Sequence, residues 1–301
     1  MSLMKSDEIM KKIVLLYVVM LFCSCTAVLQ AEKKSIKRIA LVVGNQDYVD
    51  NALENPENDA RGIARTLESI GFEVILRLNV TLRGLEKALS ELQSKIEPNN
   101  TIVFLYFAGH GNTLAKVSSE EYLMMTDKKE VVLVSIFKLY DFLNNAKARY
   151  NIVVIDACRD YKEHYVPLDE DENMKKLKNF RGNFRTVSIR SSDGIKKKQP
   201  VVLDNNYSYK FPSSTIVSYA TMPNQRAKDW SIHDEKHSPY AYALMKYLND
   251  EEIPIEEVFR RVRTSLLKET GREQSNLEEL NLEKNIWLVP KRANVAFTPA
   301  L

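Results

Sequence analysis

The chain has 301 residues, 45% of them hydrophobic, which is enough for one large mixed domain with a sizeable core or for two small ones. Lysine and arginine number 43 against 40 aspartates and glutamates. That near-balance leaves no excess of positive charge to release counterions from a phosphate backbone, so nucleic acid is not an expected partner.

In chain order, the first segment stands apart. Lys11 and Lys12 precede the apolar run from Ile13 to Phe22, small residues follow at Ser24, Thr26 and Ala27, and Glu32, Lys33 and Lys34 close it. This is the anatomy of a secretory signal, too short to cross a bilayer comfortably, so residues 1–34 are expected to direct export to a periplasmic or secreted location. Cys23 and Cys25 both fall in this segment. Cys25 is either a lipid-attachment cysteine that would anchor the protein to a membrane or an apolar-segment cysteine without a role. Cys158 is then the one thiol of the body, and no internal disulfide is open to it.

From residue 35 to 290 strands and helices alternate, which predicts an α/β domain with a mainly parallel central sheet flanked by helices. Arg38–Gly44 is a β-branched apolar run, a buried strand by composition. Asn55, Pro56 and Glu57 read as a helix start, with Asn55 as the cap, and the helix carries Ala60, Ile63, Ala64, Leu67 and Ile70 on one face. A strand over Phe72–Leu78, a helix over Leu82–Ile96 and an almost wholly apolar strand over Thr101–Phe107 follow. A helix over Ile136–Ala146 and a strand over Asn151–Ile155 complete this half. His110 and Cys158 thus sit just past the C-terminal ends of two buried strands, the edge of an open α/β sheet where ligands bind.

Residues 159–213 lose regular patterning and read as a flexible linker. Asp169 to Glu172 is acidic, and Lys175, Lys176, Lys178, Arg181, Arg185, Arg190 and Lys196 to Lys198 are basic. A strand over Thr215–Ala220, helices over Tyr240–Leu248 and Ile255–Thr270, and a short strand over Asn285–Val289 are expected next. Asn276 to Glu283 fit no pattern, and residues 291–301 form a tail.

The chemistry concentrates in two segments, Phe107-Ala108-Gly109-His110-Gly111 and, 48 positions after the histidine, Ile155-Asp156-Ala157-Cys158-Arg159. A thiolate is the reactive form of cysteine and needs a nearby base or cation to form near neutral pH, which His110 can supply before protonating a departing amine. Together these segments resemble the His-Gly and Asp-Ala-Cys-Arg signatures of caspase-like cysteine peptidases, metacaspases and bacterial caspase homologues included. The resemblance covers Lys37 to about Thr270. It implies a three-layer caspase-like fold, endopeptidase activity from a Cys158–His110 dyad, and an oxyanion hole from the backbone N–H groups of Gly111 and Cys158.

The same resemblance sets the specificity. Asn58-Asp59-Ala60 matches the Asn-Asp position of the metacaspase pocket, and Asp156 matches the second acid, so cleavage of polypeptides after Arg, with Lys second, is expected. Each aspartate also has a plainer role open to it: Asp59 as a first-turn acid on its helix dipole, Asp156 as a cap on the turn below Cys158. Ala108 stands where metacaspases often carry serine, which removes one polar contact to the substrate cation. Ser218, Tyr219 and Ala220 resemble the strand bordering the cleft in bacterial caspase homologues, and Trp230 is either a subsite wall or a packing residue. The basic linker is itself the type of bond such a site would cut, so self-processing within 159–213 is expected.

No cofactor is expected. Some metacaspases need calcium, yet Asp169 to Glu172 lacks the spaced ligands and turn glycine of a recognisable loop. His233 and His237 lie close in sequence without a cysteine or carboxylate cluster, a poor metal site. Two other functions compete with a peptidase. A non-catalytic module of the same fold would bind partners without needing an intact His110 and Cys158. A thiol redox protein would need a resolving cysteine that the body lacks.

Overall fold

The computed structural model describes residues 35–49, 51–113, 121–128, 131–159 and 210–289, and the backbone of 186–189. The expected signal segment with Cys25, the acidic run Asp169 to Glu172 with most of the linker, and the 291–301 tail lie outside the described residues. In chain order the elements are β1 (Lys37–Gly44), α1 (Pro56–Ser69), β2 (Glu73–Leu78), α2 (Leu82–Lys95), β3 (Thr101–Ala108), β4 (Gly111–Thr113), β5 (Glu121–Met125) and β6 (Val131–Ser135). There follow α3 (Ile136–Ala146), β7 (Tyr150–Asp156), β8 (Thr186–Ile189), β9 (Thr215–Tyr219), α4 (Pro239–Tyr247), α5 (Ile255–Glu269) and β10 (Leu277–Asn281).

Six strands form the main sheet in the order β10-β9-β7-β3-β1-β2. The five from β2 to β9 are parallel, and β10 closes the edge antiparallel to β9. Successive side chains of a strand point to opposite faces, so each central strand feeds two cores. Leu41, Val43, Leu105, Phe107, Val153 and Ile155 pack with α2 and α3 on one face. Ala40, Val42, Phe104, Tyr106, Ile152 and Val154 pack with α1, α4 and α5 on the other. This is the expected three-layer arrangement, with helices on both faces of a mainly parallel sheet.

The sheet edge and a second sheet differ from the sequence reading. The antiparallel edge is Leu277–Asn281, from the stretch that fitted no pattern, while the expected strand over Asn285–Val289 reduces to one bridge between Trp287 and Pro254. Acids suit an edge strand, and Glu278 is held by the Ser218 hydroxyl at 3.2 Å and by Arg263. A second, antiparallel sheet, β4-β5-β6-β8, takes its first three strands from between β3 and α3 and its fourth from the linker. Its strands are three to five residues long, too short for a period to show, and β8 lies inside the linker expected to be without structure.

Asn55 also departs from its expected role. Its side chain caps nothing in α1; its amide instead donates to the carbonyls of Asp229 (2.7 Å) and Glu235 (2.9 Å), tying a distant loop to the start of the helix.

Candidate active site

The parallel register places the two chemical segments side by side, since Ala108 at the end of β3 pairs with Asp156 at the end of β7. The Gly109 N–H then donates to the Asp156 carbonyl at 3.2 Å. Gly111 runs against the loop after β7, and a Cβ at that position would lie 2.5 Å from the Cys158 carbonyl oxygen and 2.8 Å from the Ala157 Cβ. Only glycine permits that approach. Gly109, at φ +155°, is likewise confined, because a Cβ there would lie 2.4 Å from the Tyr48 hydroxyl.

His110 is 8% exposed and held from two sides. Its backbone N–H donates to the Tyr48 hydroxyl (3.0 Å), which donates to the Met124 carbonyl (3.2 Å), and the Tyr48 ring lies tilted against the imidazole with centroids 4.6 Å apart. Nε2 lies 2.7 Å from the Asn51 carbonyl oxygen. A carbonyl can only accept, so Nε2 carries the proton and the neutral ring keeps its lone pair on Nδ1. Tyr48→Phe would leave the buried His110 N–H without its acceptor, while the Met124 carbonyl keeps the Asn45 amide at 3.1 Å. It is expected to lower unfolding stability by about 1–3 kcal/mol in denaturant titration.

Cys158 is a free thiol of intermediate exposure, its Sγ 3.8 Å from the carbonyl oxygen of Ala227. The loop carrying Ala227 is fastened to the Cys158 segment by the Arg159 N–H donating to the Gln225 carbonyl (2.9 Å) and the Asn224 N–H donating to the Arg159 carbonyl (3.1 Å). The Arg159 side chain is buried. It pairs with Glu121, donates to the Thr221 carbonyl at 3.2 Å and lies 4.0 Å from the Tyr219 ring centroid. Burial pushes the Glu121 carboxyl up, although Arg159 pulls it down.

Asp59 and Asp156 come from α1 and β7, and Ser238, the cap of α4, joins them. The Ser238 N–H donates to Asp59 Oδ1 at 3.0 Å, its hydroxyl donates to Asp156 Oδ2 at 2.6 Å, and the same hydroxyl accepts the Ala241 N–H at 2.9 Å. Asp59 Oδ1 also faces His237 Nδ1 at 3.0 Å, and Asp156 Oδ2 accepts from the Tyr106 hydroxyl at 3.1 Å. Among the described residues each aspartate therefore ties one oxygen to the protein and keeps the other, Asp59 Oδ2 and Asp156 Oδ1, without a hydrogen bond. Burial raises both carboxyls above the ordinary aspartate range. The negative charge of Asp59 raises Asp156 further, and the His237 and Ser238 bonds on Asp59 work against the shift.

The remaining expected site residues stand inside the protein. Ser218, Tyr219 and Ala220 are no more than 2% exposed. The Ser218 Oγ accepts from Tyr240 at 2.7 Å, the Tyr219 hydroxyl is 3.0 Å from that of Tyr140, and the Ala220 backbone pairs with Ile155 and Gln274. Ser218 and Tyr219 belong to β9, and Ala220 follows it directly. Trp230 is 57% exposed and packs in no core. Sequence reasoning passed over Tyr48, Asn51, Tyr106 and Ser238, and weighed His237 only as a metal ligand. Of these only Ser238, followed by Pro239, carries a local signal, the capping residue before a helix-starting proline.

With this geometry in view, the comparisons with known proteins agree on one family. The sequence profile of the caspase domain matches residues 37–286. Mouse caspase-12 is 28% identical over 135 residues, which cover 42% of this chain and 31% of that protein. Dog caspase-1 is 25% identical over 138 residues, 42% of this chain and 32% of that protein. The aligned stretch thus spans about a third of these relatives. Among solved structures, the Drosophila initiator caspase Dronc superposes with a TM-score of 0.53 at 15% identity, covering 86% of this chain and 88% of that one. Caspase-1 from Spodoptera frugiperda gives 0.56 at 13%, covering 86% and 92%. These structures share its fold. The chain belongs to the caspase-domain family of cysteine peptidases.

Proposed function

We propose that the protein is an endopeptidase that cuts polypeptides after arginine, and after lysine second, with Cys158 as nucleophile and His110 as its acid-base partner. The observation that carries the specificity is the pair of buried aspartates, each with one oxygen fixed by the protein and one unbonded. Two such oxygens offer a guanidinium two charge-assisted hydrogen bonds, whereas an aspartate side chain would meet repulsion.

In this reading the Nδ1 lone pair of His110 takes the Cys158 proton, and the thiolate sulfur adds to the scissile carbonyl carbon. The oxyanion that develops is met by the backbone N–H groups of Gly111 and Cys158. The tetrahedral species collapses as the C–N bond breaks, and His110 returns the proton to the leaving amine. Water, activated by the same imidazole, then hydrolyses the thioester and restores the thiol. The Asn51 carbonyl supports the imidazolium that forms at each step. The reading extends to self-cleavage at basic residues of 159–213 and to export by residues 1–34, with Cys25 as a possible anchor point in a lipoprotein.

The test is a panel of fluorogenic peptides ending in Arg, Lys, Asp or citrulline, with and without calcium. Turnover in the order Arg, Lys and then citrulline, with Asp not cut, is the expected result. Turnover of none of them by intact or linker-cleaved protein would replace the peptidase by a binding module of the same fold.

A further inference from the structure

The loop 229–238 is fastened to the start of α1 at several points. Asp229 Oδ2 accepts the Glu54 N–H at 2.9 Å, and the Asn55 amide grips the carbonyls of Asp229 and Glu235. Within the loop the Ser231 N–H donates to the His237 carbonyl at 2.7 Å and the His237 N–H to the Asp234 carbonyl at 3.1 Å. This framework delivers the His237 ring, its side chain 12% exposed, to the pocket.

Nδ1 stands 3.0 Å from Asp59 Oδ1, and Nε2 is 3.7 Å from Asp234 Oδ2. An ionised Asp59 can only accept, so the Nδ1 proton is donated to it. The α1 helix makes room for the ring at Gly62, where a Cβ would lie 3.1 Å from His237 Cε1 and 2.4 Å from Met245 Sδ. Consecutive residues, His237 through its side chain and Ser238 through its backbone, thus converge on one oxygen of Asp59. Without the imidazole a single bond would hold that carboxylate, and rotation about χ2 would exchange its two oxygens.

We propose that His237 is a specificity-determining positioning residue, which fixes Asp59 by its Oδ1 so that Oδ2 is presented together with Asp156 Oδ1 to the basic side chain of the substrate. The proposal rests on the acidic-pocket reading above. It places a residue from a loop remote in sequence in control of how well arginine is told from an uncharged isostere.

The experiment compares the intact chain with His237→Leu and His237→Asn on matched arginyl and citrullinyl peptides. The asparagine amide N–H falls near the place of the Nδ1 proton. His237→Leu is expected to raise the KM for the arginyl peptide about tenfold with kcat changed less than twofold, the effect of losing one hydrogen bond to a charged group. His237→Asn is expected to restore KM to within about threefold. A leucine variant that lowers kcat on both peptides alike, or leaves the arginyl KM unmoved, overturns the proposal, as does an asparagine variant as poor as leucine. Should the leucine variant fail to fold, Gly62→Ala, which crowds the ring, supplies the comparison, and an arginyl KM equal to wild type's would count against it. A wild-type chain that does not distinguish arginine from citrulline removes the acidic pocket before any variant is compared.

Discussion

Cys158→Ala is expected to reduce kcat/KM on an arginyl peptide by roughly four to six orders of magnitude, and His110→Ala by a comparable factor, because a nucleophile and its base act as one unit. The effect is large because nothing else among the described residues supplies a thiol, Cys158 being the free cysteine of that set. Cys158→Ala should leave the fold intact, because the residue is partly exposed and the change removes only the sulfur. His110 carries a further expectation. With Nε2 bound to the Asn51 carbonyl, His110→Gln would set an amide where that donor stands while offering no base, so it should be as inactive as alanine yet more stable in denaturant. Loss of labelling by a thiol-directed peptidyl-arginine reagent in Cys158→Ala gives an independent measure. Residual turnover within tenfold of wild type would remove Cys158 from the chemistry.

The second large effect concerns the pocket charge. Asp59→Asn and Asp156→Asn are each expected to lower the arginyl-to-citrullinyl ratio of kcat/KM by ten- to a hundredfold, since hydrogen bonds to charged groups contribute about 1.5–3 kcal/mol. Comparing two peptides in one enzyme cancels the ionisation of Cys158 and His110. What remains is the ionisation of the aspartates, raised to about 6 for Asp59 and about 8 for Asp156. The ratio should therefore climb with pH above the ordinary aspartate range, and in Asp156→Asn, with one carboxyl left, the climb should come at lower pH.

The stability of the two proteins runs the other way. A carboxyl whose folded pKa is raised holds its proton more tightly folded than unfolded. Its contribution is then complete below the unfolded value near 4 and is lost as pH rises through the folded one. Asp156→Asn, which never ionises, should be more stable than wild type at pH 9 and about equal to it at pH 4 in urea titrations. An arginyl-to-citrullinyl ratio that ignores both pH and the two substitutions would show that these carboxylates face no substrate.

Much of the frame is legible because it rests on local rules. The apolar runs of β1, β3 and β7 announce strands buried on both faces. Leu85, Leu89 and Leu92 recur at helical spacing in α2, and Pro56 marks the first residue of α1. Those runs, with the His-Gly and Asp-Ala-Cys-Arg segments, carry the order of elements, the three layers and the placement of His110 and Cys158 at one sheet edge. The short strands of the second sheet and the acidic edge strand β10 carry no such rule. Strands of three to five residues show no period, and Glu278 and Glu279 fit no pattern until Ser218 and Arg263 are seen to meet the first of them.

By itself, then, the sequence determined the fold class, the family and the two aspartates worth asking about, because each depends on residue type and spacing along the chain. Only the tertiary structure decided how those residues are held. That His110 donates Nε2–H to Asn51, that Ser238 joins Asp59 to Asp156 across 179 and 82 positions, and that Ser218, Tyr219 and Ala220 are buried all depend on contacts between distant segments. The orientation of a carboxylate is set by the donors that surround it, and those donors are chosen by packing, which no local pattern records.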